Sequence, residues 1–333
     1  MKKLLSATIL IFVSFLVANG QVYRVAEMNA TQIRALDKQK TVVILPGGVL
    51  EQHGPHLPSF TDGYSNEWIT QKVAASIAAR PGWSVLIFPT IPLGHGGANE
   101  IGGKYSFPGT YSVRRTTLRA LFMDLAGELG EQGFRWVFIM HGHGAPHHNL
   151  ILDQAGDFFR DTYGGRMVHL RGLQPTKEQL AALKVTPPDI TMSDADKNES
   201  GLLDLHAGFD ETSRLMFVRP DLVDAGYKNL SPLTVNQPAD LFQFSKPNWL
   251  GYIGSPRLAN AKAGQLLQEY RATRDAALVL AIVDGKLDER DVPHYATETL
   301  KRAAEAKIPD LSAKNEQAVA QKQLDWMKTK GIE

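Results

Sequence analysis

The segment GGVLEQHGPHLPSFTDG, residues 47–63, gathers Glu51, His53 and Asp62 between glycines and prolines. Glu51 and His53 are two positions apart, so in extended chain their side chains point the same way. Asp62 follows GPHLPSF, a rigid, irregular stretch expected as a loop that folds the aspartate back toward the pair. A carboxylate–imidazole–carboxylate set without thiolate is hard to borderline in character. It suits Zn²⁺, Mn²⁺ or Fe²⁺.

Two more segments carry metal-capable or proton-carrying side chains. MHGHGAPHHN, residues 140–149, ends an apolar run and opens a helical one. Of His141 and His143, one is expected to face a site. His147 and His148, at the helix start, read as exposed or cap-adjacent residues with a structural role. DLHAGFDETSRLM, residues 204–216, holds His206 and Glu211 with a glycine between them. That spacing predicts a turn, then a helix beginning near Glu211, where Thr212 and Ser213 can satisfy free backbone groups.

These side chains need elements to hold them. TVVILP (41–46), SVLIFPTI (84–91) and RWVFIMHG (135–142) are short, apolar and stopped by Gly or Pro, as buried strands are. Between and after them, residues 65–80, 114–133 and 147–164 repeat apolar side chains at three- and four-residue spacing, as helices do. Strand and helix alternate, and the strands are apolar on both faces. The expected fold is therefore α/β, a three-layer α/β/α sandwich with a mainly parallel central sheet. Such sheets bind ligands beyond the carboxyl ends of their strands. Glu51 and His53 follow the first strand, Gly94 and His95 the second, and His143 the third.

The rest of the chain bounds the problem. It has 333 residues, 43% hydrophobic and 21% charged, with a net charge of +1, which gives no footprint for nucleic acid. There is no cysteine, hence no disulfide, thiolate ligand or thiol nucleophile. MKKLLSATILIFVSFLVANG has the basic start, short apolar run and small-residue end of a secretory signal peptide. The expectation is cleavage before Gln21, a periplasmic or secreted product, and no stable membrane insertion afterwards. Residues 171–200 read as an excursion with one short helix. Residues 21–285 read as one domain, and 286–333 as a peripheral helical tail. Loops 94–106, 171–200 and 231–252 are expected to shape a substrate pocket, with Trp249 and Tyr252 as candidate stacking surfaces.

LPGGVLEQHGPHLPSFTD, GTYSV after FP, HGHG after an apolar strand, and HAGFDETS occur in that order. They resemble the signature of the creatininase (creatinine amidohydrolase) family, over roughly residues 30–270. The resemblance implies an α/β/α fold, two divalent metal ions per subunit, a homo-oligomer (often a hexamer) and cleavage of C–N bonds in cyclic or linear amides. It implies Glu51, His53, Asp62 and His143 as metal ligands, with Asp62 bridging. A glutamate that completes the creatininase site falls here at Ala145, so Glu211 is expected to compensate. His141 stands where the family commonly has Asn; both departures weigh against creatinine as the substrate. The implied chemistry is attack on an amide carbonyl by a metal-activated hydroxide. His206 is the candidate proton shuttle, and Glu211 its partner if not a ligand. Two other readings compete: a two-metal phosphoesterase and a non-catalytic metal-binding protein. Against the first, neither LPGGVLEQHGPHLPSFTD nor HAGFDETS holds a basic residue; Lys104, Arg114 and Arg115 lie near GTYSV.

Overall fold

The computed structural model describes residues 20–96, 108–190, 204–233 and 248–332. Strands β1 (Val22–Arg24), β2 (Thr41–Gly47), β3 (Ser84–Ile87), β4 (Trp136–His141) and β5 (Arg166–His169) form one sheet in the order β1-β3-β2-β4-β5. Every pairing in it is parallel. The helices among the described residues are α1 (Ala30–Ala35), α2 (Thr61–Ala78), α3 (Arg115–Glu131), α4 (Pro146–Tyr163), α5 (Lys177–Ala182), α6 (Phe209–Val218), α7 (Ala261–Val283), α8 (Tyr295–Glu305) and α9 (Leu311–Thr329).

Alternation along the strands builds two cores. Val42, Ile44, Ile87, Phe138 and Met140 pack on one face with Ile69 and Val73 of α2 and Val279 and Ile282 of α7. Val43, Leu45, Leu86, Val137 and Ile139 pack on the other with Phe122 of α3 and Ile151 and Phe159 of α4. Each such aliphatic or aromatic side chain contributes roughly 1.5–3 kcal/mol on burial. All seven residues of β2 are buried, as a strand covered on both sides requires. The three-layer α/β/α arrangement is the one expected.

The topology also selects the place for a site. After β2 the chain passes to α2 on the first face, whereas after β4 it passes to α4 on the second. Neighbouring strands β2 and β4 thus send their exits in opposite directions, opening a crevice between their carboxyl ends. Two glycines let α2 settle into that crevice. A Cβ at Gly48 would lie 2.7 Å from the Gly63 nitrogen, and one at Gly142 would lie 2.8 Å from the Asp62 carbonyl oxygen.

Several expectations need correction. α2 begins at Thr61, so Asp62 stands in the first turn of a helix and not in a loop. A carboxylate is favoured there by the helix dipole. The second strand ends at Ile87, short of the expected Ile91; Pro89 lacks the N–H that a ladder needs. α6 starts at Phe209, which puts Glu211 in its first turn. Strands β1 and β5, of three and four residues, are too short to show a pattern in sequence. The tail forms α8 and α9. His294, just before α8, lies 3.0 Å from Asp153 of α4, and Arg115 of α3 bonds Glu316 of α9 at 2.8 Å. No helix among the described residues is long and apolar enough to cross a membrane. The expected signal segment, Lys104 and much of the three pocket loops lie outside the described residues.

Candidate metal centre

Glu51, His53, Asp62, His143, His206 and Glu211 meet in the crevice between β2 and β4. Their donor atoms fall into three groups, each within 4.8 Å: Glu51–Asp62–His143, His53–Asp62–Glu211 and Glu51–His53–His206. Asp62 offers one oxygen to each side. Oδ2 lies 3.0 Å from His143 Nδ1, and Oδ1 lies 3.9 Å from His53 Nε2. Glu51 Oε2 is 3.3 Å from His143 Nδ1, and Glu211 Oε2 is 3.5 Å from His53 Nε2.

The loop after β2 is held from several directions. Glu51 N–H donates to the Ser59 carbonyl at 2.9 Å, and Gln52 N–H donates to Thr110 Oγ1 at 3.0 Å. Tyr111 N–H adds a bond to the Leu50 carbonyl at 2.8 Å, so the GTYSV segment straps this loop in place. The His53 ring is oriented by its neighbour: Nδ1–H donates to the Glu51 carbonyl at 2.8 Å. A carbonyl only accepts, so the proton sits on Nδ1 and the Nε2 lone pair faces Asp62 and Glu211. That Nε2 is buried and has no hydrogen-bond partner. A divalent cation fits this lone pair and its surrounding carboxylates.

The electrostatics agree. Burial alone would lower the His53 pKa, but Glu211, Asp62 and Glu51 outweigh it and raise it. Burial likewise opposes the charge on His143, yet Glu51 and Asp62 push it up to about 9. Asp62 is held down at about 2: its hydrogen bond with His143 and the nearby imidazoles overcome the burial that would raise it. A pocket that attracts protons so strongly attracts dications by the same field.

His206 Nε2 lies 2.8 Å from the Gln52 carbonyl, so Nε2–H is the donor and Nδ1 keeps the lone pair. Nδ1 is 3.9 Å from Glu211 Oε2. Glu211 Oε2 accepts the Ala207 N–H at 2.6 Å, where Ala207 takes a positive φ of 47°. Trp249 stands beside His206 with ring centroids 6.2 Å apart, whereas Tyr252 is buried and donates its hydroxyl to the Ser231 carbonyl. Tyr252 is therefore core and not a stacking surface.

His141 and His143 part company at the strand end. In continuous strand a spacing of two would put both on one face. β4 stops at His141, and the His143 N–H bonds back to the His141 carbonyl at 3.2 Å. His141 stays with the α3–α4 layer, its Nδ1 3.1 Å from His148 Nε2. His148, in the first turn of α4, is fully buried, and its Nδ1 accepts the His95 N–H at 3.1 Å. Burial pushes His141 down to about 3 and His95 to about 4. These neutral rings pack behind the centre and lie outside the donor groups.

Sequence reasoning missed three arginines. A cavity of about 180 Å³ adjoins Asp62, His206 and Glu211 and is lined as well by Arg171, Arg214 and Arg271. The scarcity of basic residues read from the motifs does not hold for the folded site. Arg214 was within reach, because it follows Glu211 by three positions on one helix face. Arg171 and Arg271 come from distant segments, with no local signal.

A family model described as "Creatininase: Creatinine amidohydrolase" matches residues 26–279. The chain is 27% identical over 232 residues to the creatinine amidohydrolase of Pseudomonas putida, covering 68% of this chain and 84% of that protein. It is 26% identical over 242 residues to the mycofactocin precursor peptide peptidase of Mycolicibacterium smegmatis, covering 72% and 84%. A solved mutant creatininase of Zn-Zn type matches with a TM-score of 0.56 at 24% identity, covering 79% of this chain and 97% of that one.

Proposed function

Because this chain belongs to the creatininase family, whose members in hand are amide and peptide hydrolases, we propose that it is a metal-dependent amidohydrolase that holds two divalent ions and cleaves a C–N bond of a cyclic or linear amide. The observation that carries the two-ion reading is the sharing of Asp62 between two donor groups, one carboxylate oxygen to each. Glu51, Asp62 and His143 would hold one ion, and His53, Asp62 and Glu211 the other. The donor set suits zinc, manganese or ferrous iron.

When bound, the two ions supply Lewis-acid polarisation of the amide carbonyl and a water acidic enough to react near neutral pH. The protein's own part is proton handling and placement. His206 keeps its Nδ1 lone pair toward Glu211 because Gln52 fixes the other nitrogen. Nδ1 is the atom that takes a proton and returns it to the leaving nitrogen. Export through residues 1–20 and assembly into a homo-oligomer belong to the same reading. Mass spectrometry of the native product, and its solution mass, check those two points.

The test of the activity is metal analysis followed by a panel of amides, formamides and phosphoesters. The expected result is close to two ions per subunit and turnover of amides. Asp62→Ala should lose most of the bound metal, since one side chain serves both ions. Full metal occupancy in that variant contradicts the shared carboxylate, and turnover of phosphoesters alone contradicts the amide reading.

A further inference from the structure

The cavity beside the donor cluster is lined by both acidic and basic side chains. Four carboxylates, Asp62, Asp204, Asp210 and Glu211, line it together with the guanidiniums of Arg171, Arg214 and Arg271. Arg214 is already engaged, by Asp210 at 3.2 Å and by Gln268 Oε1 at 3.0 Å. Arg271 has Asp275 at 3.6 Å, but Arg274 shares that carboxylate at 3.1 Å. Asp204, which also lines the cavity, accepts the Asp210 N–H at 2.7 Å. No hydrogen bond or ion pair to another described residue engages Arg171. The Arg171 guanidinium nevertheless helps to hold both Asp62 and Asp210 below the usual carboxylate range. Burial, together with the repulsion of Arg171, Arg214 and Arg274, pushes Arg271 down to about 9 against the pull of Asp275.

Resting on the amidohydrolase reading, we propose that the arginines of this cavity bind a carboxylate carried by the amide substrate close to the scissile bond. Arg171 makes the contact, and Arg214 and Arg271 supply the field behind it. A guanidinium presents a planar fork of donors that matches a carboxylate two-on-two. Because the same small cavity reaches both the donor cluster and Arg171, the amide and the acid must sit within a few bonds of each other. That places the substrate among N-acyl amino acids and similar acids, and away from neutral cyclic amides. Phosphate shares the recognition chemistry and is separated by experiment.

The test compares binding of N-acetylglycine, N-acetylglycinamide and inorganic phosphate to the zinc-loaded protein by calorimetry, with amide turnover followed in parallel. The acid is expected to bind at least about tenfold tighter than its uncharged amide. In Arg171→Gln that ratio should collapse toward one, and Arg171→Lys should fall between, because it keeps charge and loses the fork. An acid-to-amide ratio near one in the unaltered protein, or a ratio that Arg171→Gln leaves intact, overturns the proposal. So does phosphate binding more tightly than the acid through Arg171. Arg171-dependent binding of the acid without cleavage of any amide supports the pocket and sinks the hydrolytic reading. Cleavage of amides with no preference for the acid does the reverse.

Discussion

In the proposed mechanism His206 and Glu211 divide the roles that the other four donors leave open. Glu211 Oε2 lies closer to His53 Nε2, at 3.5 Å, than to His206 Nδ1, at 3.9 Å. Two dications packed together also need more than two carboxylates to offset their repulsion. Glu211→Gln should therefore lose metal, read by elemental analysis, and not merely slow the enzyme. His206→Asn should keep its metal, because Glu51, Asp62, His143, His53 and Glu211 remain, while turnover falls roughly 10²–10⁴-fold. A His206→Asn protein with near-normal turnover would reduce His206 to a packing residue. A Glu211→Gln protein that retains both ions would make Glu211 the group that orients His206. At this scale the sequence was informative wherever chemistry is local. The two-residue spacing of Glu51 and His53 survives in the folded loop. Arg171 and Arg271 carried no such signal, since only tertiary folding brings β5's exit and α7 to the same cavity.

At the scale of elements, the centre depends on how α2 meets the sheet. The apolar strands and the long helices were legible because burial on both faces leaves an unbroken run of Val, Ile and Leu. The start of α2 was not. Pro58, Ser59 and Phe60 read as loop, and Phe60 offers no side-chain cap to the first turn, so nothing in the sequence marks Thr61 as helical. What places Asp62 is close packing at Gly48 and Gly142, visible only in three dimensions. Gly48→Ala should separate α2 from the β2 exit by several tenths of an ångström. Overpacking of this kind costs about 1–3 kcal/mol. Its diagnostic effect should be a weakened metal site, read by equilibrium dialysis, in a protein whose circular dichroism is unchanged. Wild-type metal affinity in Gly48→Ala would show that Asp62 is positioned by other contacts.

For the whole molecule, the topology concentrates three carboxylates and three imidazoles at one switch point, and under the proposed function stability is thereby tied to cation binding. A ligand that binds only the folded state at a thousandfold excess over its Kd adds about 4 kcal/mol, so chelation should lower the Tm by about ten degrees. The pH dependence has a definite sign. In the metal-free protein His143 is raised to about 9, so the stability it adds is fully present below the ordinary histidine value near 6.5 and is lost as pH rises through 9. Asp62, held at about 2, stays ionised across that window and keeps the pair intact. Metal binding has the opposite trend, because the ligand imidazoles must give up their protons, and affinity climbs as pH rises. The gap in Tm between zinc-loaded and chelated protein should therefore widen from pH 6 to pH 9. Thermal scans across that range, at fixed free zinc, measure it directly. A gap that stays constant, or narrows, would show that His143 is not exchanging its proton for a metal ion.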